Sequence, residues 1–465
     1  MNKDKAGLPL IWSRDLDAPI AWRGTEPISR RQYLADVRMM SERLPANGPM
    51  LNITADRYRF AVGLGAAMLR GHTNLLPPNH TPDIVARLHS LFPSTYCVID
   101  DDADRARHAP LPAIVAPQGH APMPSGRDAD VVPRVDGGTL TAQVLTSGST
   151  GDPMPHAKQW SLLVRNIEAG SQRLAHHMGR TDLAGVTLVA TVPAQHMYGF
   201  ESTVLIALLA GAAFETERPF YPADIARALM RAPRPRMLVT TPFHLKTLLD
   251  SGVSLPAIDL TLCATAPLPP QLAARAEAAL AAPLMEIYGC TEAGQVATRR
   301  TTAGAEWRTY DGLVLSGDGT ETTISGGHVP QPTVLADVLE VLDAQRFRLL
   351  GRSNDLINIA GKRSSLSHLN YHLNSIAGVR DGAFWLPDDH AADAAGIVRL
   401  TAFVVAPEVP AAAIVAALRE RVDTAFLPRP VLHVPALPRE PTGKLAATRF
   451  AAWAAEQVEA HRRAG

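Results

Sequence analysis

Short, predominantly apolar runs alternate with stretches of helical spacing through the middle of this chain. Residues 186–192 and 237–240 have the composition of buried strands, and residues 222–230 and 244–249 that of helices. Such alternation predicts an α/β domain. With 465 residues the chain is long enough for two or more domains and a substantial core. Lysine plus arginine and aspartate plus glutamate balance at 45 each, so no basic field points to nucleic acid and no acidic tail is present. Cys97, Cys263 and Cys290 form neither a paired framework nor a CxxC metal spacing, which points to a reducing cytosol. The polar start MNKDKAG carries no apolar signal segment. The longest apolar run, residues 202–214, is too short to span a bilayer and is expected to be a buried helix, so no membrane insertion is expected.

Outside that region the spacing predicts helices over residues 28–44 and 56–70, the second closed by Gly71, and a buried strand over 95–100. Residues 103–138 are rich in Pro, Gly, Asp and Ala without a period, and are expected to be loop or edge hairpin. The stretch LTSGSTGDPMPHAK, residues 145–158, is of a different kind. Thr146, Ser147, Gly148, Ser149, Thr150 and Gly151 are all small and carry hydroxyls or no side chain at all. They make a poor helix or strand interior, and a loop of such residues turns N–H groups and hydroxyls toward an anion such as a phosphate chain. The spacing is not that of the P-loop, GxxxxGK[ST], and a solvated Gly/Ser linker is the plain alternative.

Two further stretches follow strands. TVPAQHMYGFE, residues 191–201, sets His196, Tyr198, Gly199 and Phe200 just past a strand end, where an open α/β sheet forms its pocket wall. On its own, His196 is as well read as a helix cap. MEIYGCTEAG, residues 285–294, puts Tyr288, Thr291 and Glu292 on a turn after a short strand. A hydroxyl beside a carboxylate there can hold a phosphate oxygen and the Mg²⁺ that neutralises it. The same residues would also suit a helix start capped by Thr291.

Taken in this order with ATAPLPP, residues 264–270, the motifs resemble those of the AMP-forming adenylating ligases, the superfamily of acyl- and aryl-CoA synthetases, adenylation domains and luciferases. GRSNDLINIAGKR, residues 351–363, is similar to that family's hinge motif, and PREPTGKL, residues 438–445, to the loop bearing its catalytic lysine. The resemblance implies a large N-terminal α/β domain, residues 1–351, and a small mobile C-terminal α+β domain, residues 352–465. It implies ATP with Mg²⁺, a small carboxylic acid substrate, and CoA or the phosphopantetheine arm of an acyl carrier protein as acceptor. By the same resemblance Lys444 bridges carboxylate, α-phosphate and ribose, Glu292 with Thr150 holds Mg²⁺, and Thr291 contacts the α-phosphate. Thr265, Ala266, Pro267 and Tyr288 frame the adenine, and Asp337 and Arg352 hold the ribose. Gly361 lines the pantetheine tunnel, Arg363 meets a phosphate of the acceptor, Asn354 is the hinge, and His196, Tyr198, Gly199 and Phe200 face the acid.

The chain departs from the family pattern at Met154, where the family carries lysine. Lys158 is the candidate replacement, although a lysine at a helix start is ordinarily solvated. The hinge residue is the neutral Asn354. PMPHAKQW and HMYGFE are similar to ligases of bacterial aryl-polyene and xanthomonadin-type pigment pathways, which load a hydroxybenzoate-like starter. A ligase that loads only a carrier protein, and a non-catalytic nucleotide-binding relative, are the alternatives.

Overall fold

The computed structural model describes residues 7–77, 79–123, 130–147, 153–317, 321–352, 356–359, 362–387, 399–439 and 445–464. Two large sheets dominate it. The first has six strands, in the order Pro153–Gln159, Leu140–Ser147, Asn74–Leu76, Met50–Asn52, Tyr96–Ile99 and Ala113–Val115. All neighbours in it are parallel except the first pair, an antiparallel hairpin. The second has eleven strands around a parallel centre: Leu284–Cys290, Leu260–Cys263, Arg236–Thr240, Thr187–Ala190, Ala213–Glu215 and Pro19–Arg23. LTLC and TLVA are buried along their whole length, as central parallel strands covered on both faces must be.

The largest apolar core joins the two sheets. Met50, Val98 and Ala142 of the first meet Leu188, Met237 and Leu262 of the second, with Tyr33, Phe60 and Leu163 from helices Arg30–Arg43, Arg57–Leu69 and Trp160–His177 among them. The expected helices start where a side chain can accept the orphan N–H groups of the first turn. Ser29 accepts from the Gln32 amide and Asp56 from the Arg59 amide. Residues 202–214 do not form one helix. A π-helical stretch, Phe200–Leu205, leads into Ile206–Ala210, and Gly211 with φ of 80° ends it. The remaining apolar residues become the strand Ala213–Glu215. Among the described residues no helix is long and apolar enough to cross a membrane.

From residue 356 onward the chain builds a smaller α+β unit. It has a hairpin, Leu356–Ile359 with Lys362–Ser365, and a three-stranded sheet, Asp381–Trp385, Thr401–Val405 and Val431–His433. Its helices are Leu366–Asn374, Ala411–Arg419 and Ala447–Ala464. Leu369, Leu373, Phe384, Ile414 and Leu418 form one apolar cluster, and Phe403, Phe450 and Ala454 another. Val422 lies past the helix end and packs at the rim of the cluster. Ser365 links this unit to what precedes it: its hydroxyl donates to the Leu350 carbonyl at 3.1 Å and accepts from the His368 amide at 3.1 Å.

Candidate active site

The carboxyl ends of the parallel strands in the larger sheet bring several of the motifs to one edge, the place where open α/β sheets bind ligands. Leu260–Cys263 runs into Thr265, Ala266 and Pro267, all exposed. Thr265 has φ of 84°, a conformation a β-branched residue adopts only under constraint. The constraint comes from below. The Leu268 amide donates to Glu286 at 3.2 Å, and Glu286 pairs with Arg299, whose guanidinium lies 4.5 Å from the Trp307 ring centre. Thr265→Gly is therefore expected to stabilise the fold by about 1 kcal/mol while raising the KM for ATP. Thermal melts and steady-state kinetics check it. A fall in melting temperature would show that the turn is not strained.

Thr291 and Glu292 do not start a helix. Leu284–Cys290 pairs antiparallel with Gly294–Arg299, so they occupy a tight hairpin tip. Gly294, with φ of 79°, closes it, and a Cβ there would stand 3.0 Å from Asn166 Nδ2 and 3.1 Å from Glu201 Oε1. Beneath the tip lies Lys158, 7% exposed. It is not at a helix start but within the strand Pro153–Gln159, and its ammonium donates to the Thr291 carbonyl and, at 3.3 Å, to that of Glu292. Two of its three N–H donors are thus engaged on the turn's backbone. Glu201, carried inward by the π-helical stretch, accepts from Asn166 Nδ2. Gln295 donates to Ser202 at 3.3 Å and accepts from the Tyr310 hydroxyl at 3.1 Å.

Burial raises the Glu201 carboxyl to about 7, against the lowering pull of Lys158, Asn166 and Gln295. Burial likewise lowers the Lys158 ammonium. A carboxyl raised on folding stabilises the fold fully below its unfolded value, 4.5, and loses that contribution as pH rises through about 7. The loss is up to about 3 kcal/mol. Glu201→Gln, which stays neutral, is expected to melt with the wild type near pH 4.5 and several degrees above it at pH 8. Melting curves that differ equally at every pH would assign the proton elsewhere.

The hydroxyl- and glycine-rich stretch opens from the end of Leu140–Ser147, and Pro153–Gln159 returns antiparallel to it. Gly148, Ser149, Thr150 and Gly151 lie outside the described residues, as do Asn354, Gly361 and Lys444 and the side chains of Ser147, Arg352 and Arg363. Thr146 is described, and its hydroxyl lies 3.1 Å from His156 Nε2. The same nitrogen is 3.9 Å from Glu292 Oε1, so the hairpin and the Glu292 turn meet at His156. Sequence reasoning singled out neither His156 nor Glu201. Taking residues 153–159 as a strand would have put Met154, His156 and Lys158 on one face.

The Tyr288 hydroxyl donates to Asp337 Oδ2 at 2.7 Å, which joins the expected adenine and ribose residues. The Tyr288 ring itself packs edge-on against Trp307 and Phe347. Of the expected acid-facing group, His196 and Tyr198 are half-buried, and the Tyr198 hydroxyl donates to the Leu262 carbonyl at 2.9 Å. Phe200 faces no pocket: it is wholly buried, edge-on to Phe60 in the core. Gly199 does not face one either, since a Cβ there would come within 2.0 Å of the Pro193 carbonyl. Near His196 stands His80, lowered by burial to about 4, with His108 and His196 adding to the effect. Lys362 pairs with Asp423, while its neighbour's side chain is outside the description.

Mg²⁺ takes oxygen donors, keeps several waters and is commonly bound by one or two carboxylates together with substrate phosphates. The half-exposed Glu292 carboxylate and the Thr146 hydroxyl fit that mode. Among the described residues no cluster of three His, Cys, Asp or Glu forms a ready-made cage. Cys290, beside Glu292, is pushed up to about 12, first by burial, so it stays a neutral thiol rather than a nucleophile.

Comparison with known proteins bears on this arrangement. The family described as AMP-binding enzyme matches residues 60–332. A 4-coumarate–CoA ligase of Rhodobacter capsulatus is 33% identical over 285 residues, covering 61% of this chain and 68% of that ligase. ATP-bound MatB from Rhodopseudomonas palustris shares the fold at a TM-score of 0.75 and 18% identity, over 94% of this chain and 97% of its own. A benzoate CoA ligase from Burkholderia xenovorans LB400 does so at 0.73 and 17%, over 93% and 96%.

Proposed function

Since the chain belongs to the AMP-binding enzyme family and is an AMP-forming acid–thiol ligase, we propose that it activates an aromatic or modest acyl carboxylic acid. The observation that carries this is the meeting of four motifs at one sheet edge. These are the exposed Thr265–Pro267 turn, the Tyr288–Asp337 pair, the Glu292 tip, and the hairpin end at Thr146. In the first step a carboxylate oxygen bonds to the α-phosphorus of ATP, the bond to the β-phosphate oxygen breaks, and pyrophosphate leaves. In the second a thiol sulfur takes the acyl carbon, and AMP leaves with the bonding pair.

Both partners in the first step are anions, so the site must supply positive charge and hydrogen-bond donors before they meet. Lys444 is assigned the charge, Thr146 to Gly151 the β- and γ-phosphates, Thr291 the α-phosphate, and Asp337 with Arg352 the ribose. Mg²⁺, held by Glu292 and Thr150, neutralises phosphate charge when bound. The unit after residue 351 is assigned a turn about Asn354 between the two steps, bringing Gly361 and Arg363 to the acceptor.

An aromatic acid is favoured by the ring-lined segment of His196 and Tyr198, with His80 near His196. It also accords with the aromatic acid in the name of the Rhodobacter relative. A hydroxybenzoate-like starter of aryl-polyene type is the narrower reading. CoA is the proposed acceptor. A carrier protein is the second reading, supported by the engagement of Lys362 with Asp423, which removes one cation from the CoA phosphates.

The test is pyrophosphate release from Mg·ATP over benzoates, cinnamates and fatty acids, with and without CoA. Release with an aromatic class, stimulated by CoA, supports the proposal. Release only with fatty acids overturns the substrate, and release indifferent to CoA moves the acceptor to a carrier protein. Silence across the panel with ATP bound favours a carrier-protein-dependent ligase or a non-catalytic relative.

A further inference from the structure

The lysine missing at Met154 leaves a question of which side chain meets the polyphosphate on this strand. Lys158 is buried beneath the hairpin tip, with two of its three N–H donors on the carbonyls of Thr291 and Glu292. Strand geometry narrows the choice. Residues 154, 156 and 158 share one face of Pro153–Gln159, opposite Thr146, Val144 and Ala142 of the neighbouring strand. Along that face exposure falls from Met154, 56%, to the His156 side chain, 19%, to Lys158, 7%. Only the middle position combines a polar side chain with access to the edge of the site.

We propose that His156 is a further ATP-contacting residue, whose Nε2 meets a polyphosphate oxygen in the slot between Thr146 and Glu292. The nitrogen already stands at hydrogen-bond distance from the Thr146 hydroxyl, 3.1 Å, and 3.9 Å from the Glu292 carboxylate. Those two groups bracket the opening of the hydroxyl- and glycine-rich stretch on one side and the hairpin tip on the other. With the proton on Nε2, the ring is a donor directed at the space a phosphate enters, and it needs no net charge to serve. A second role follows from the same atom: it sets the rotamer of the Thr146 hydroxyl before ligand arrives. The inference rests on the proposal that this edge binds ATP.

The experiment is calorimetric titration of Mg·ATP into the full-length wild type, His156→Val and His156→Gln, with melting temperatures measured on the same samples. Valine keeps a strand-compatible shape and removes the donor, while the amide of glutamine reaches toward the place of Nε2. His156→Val is expected to bind Mg·ATP about tenfold more weakly, the scale of one hydrogen bond to a charged oxygen. His156→Gln should recover most of that loss, and melting temperatures should stay close together. Equal affinity in wild type and His156→Val overturns the proposal, as does a deficit in both variants that tracks a fall in melting temperature. Binding by the wild type without turnover of any acid overturns the ligase reading and leaves the His156 contact standing. No binding by the wild type overturns both.

Discussion

Replacing Lys158 by methionine is expected to slow acyl-adenylate formation by about a hundredfold or more while the protein still folds. The reasoning runs through the hairpin tip rather than through direct contact. Lys158 supplies the donors for the carbonyls of Thr291 and Glu292, and the Glu292 carboxylate on that short turn stands 3.9 Å from His156. Methionine fills the volume but donates nothing, leaving two carbonyls to find other partners, at about 1–3 kcal/mol if they stay buried and unmet. The tip relaxes, and a displacement of about 1 Å in a positioned group is enough for a hundredfold loss. Glu201 loses its neighbouring positive charge at the same time, so its proton is held to higher pH still. Rapid-quench measurement of acyl-AMP, with circular dichroism for the fold, checks it. Near wild-type rates would mean that Gly294 and the strand pairing hold the turn unaided. Because Met154 is the exposed end of the same face, Met154→Lys should not rescue the variant: it restores a charge but not the donors.

Arg57→Ala is expected to destabilise the protein by about 3–5 kcal/mol, enough to leave little folded material at 37 °C. Arg57 is 2% exposed and opens the helix Arg57–Leu69 beside the six-stranded sheet. Its guanidinium reaches across to the other sheet and donates to four carbonyls, those of Glu215, Glu217, Ala190 and Val192, at 2.7–3.1 Å. Burial lowers it to about 10, which still leaves it charged at neutral pH. Alanine strands those carbonyls and opens a cavity at the junction of the sheets. Ala190 and Val192 lead directly into the segment bearing His196, so a surviving fraction should also bind its acid poorly. Arg57→Lys, with one compact ammonium, should recover part of the stability only. Chemical denaturation is the measurement, and a loss under 1 kcal/mol would show that the carbonyls find other donors.

What was legible in the chain follows from what each signal depends on. Buried parallel strands such as those within residues 186–192 and 237–240 are predominantly apolar, so they show in any window. Helices capped by Ser29 and Asp56 show because capping is local. The strand Pro153–Gln159 was hidden by Pro153 and Pro155, residues a central strand does not tolerate. It exists because it is the outermost strand of its sheet, where unpaired N–H positions are in surplus. Missing it hid the face shared by Met154, His156 and Lys158. Thr291 suggested a helix cap because threonine followed by glutamate suits one, and only the pairing partner Gly294–Arg299 decides for a hairpin. Phe200 was assigned to the pocket from its place past a strand end and from the resemblance, whereas its direction is set by the π-helical winding, which no spacing rule anticipates. Glu201 and Arg57 act through partners far along the chain, and such pairings leave no local trace.

Ser365 gives the two parts of the protein a shared oxygen. The hydroxyl caps the helix Leu366–Asn374 through the His368 amide and clasps the Leu350 carbonyl on the other side of residues 353–355. If the smaller unit turns there, the clasp opens but the cap remains, so the helix keeps the bond that starts it. Opening the clasp itself costs one hydrogen bond, about 1 kcal/mol, a factor of roughly five in an equilibrium constant. A cost of that size is within reach of ligand binding. A ligand that binds the two orientations with different affinity shifts the population by that difference.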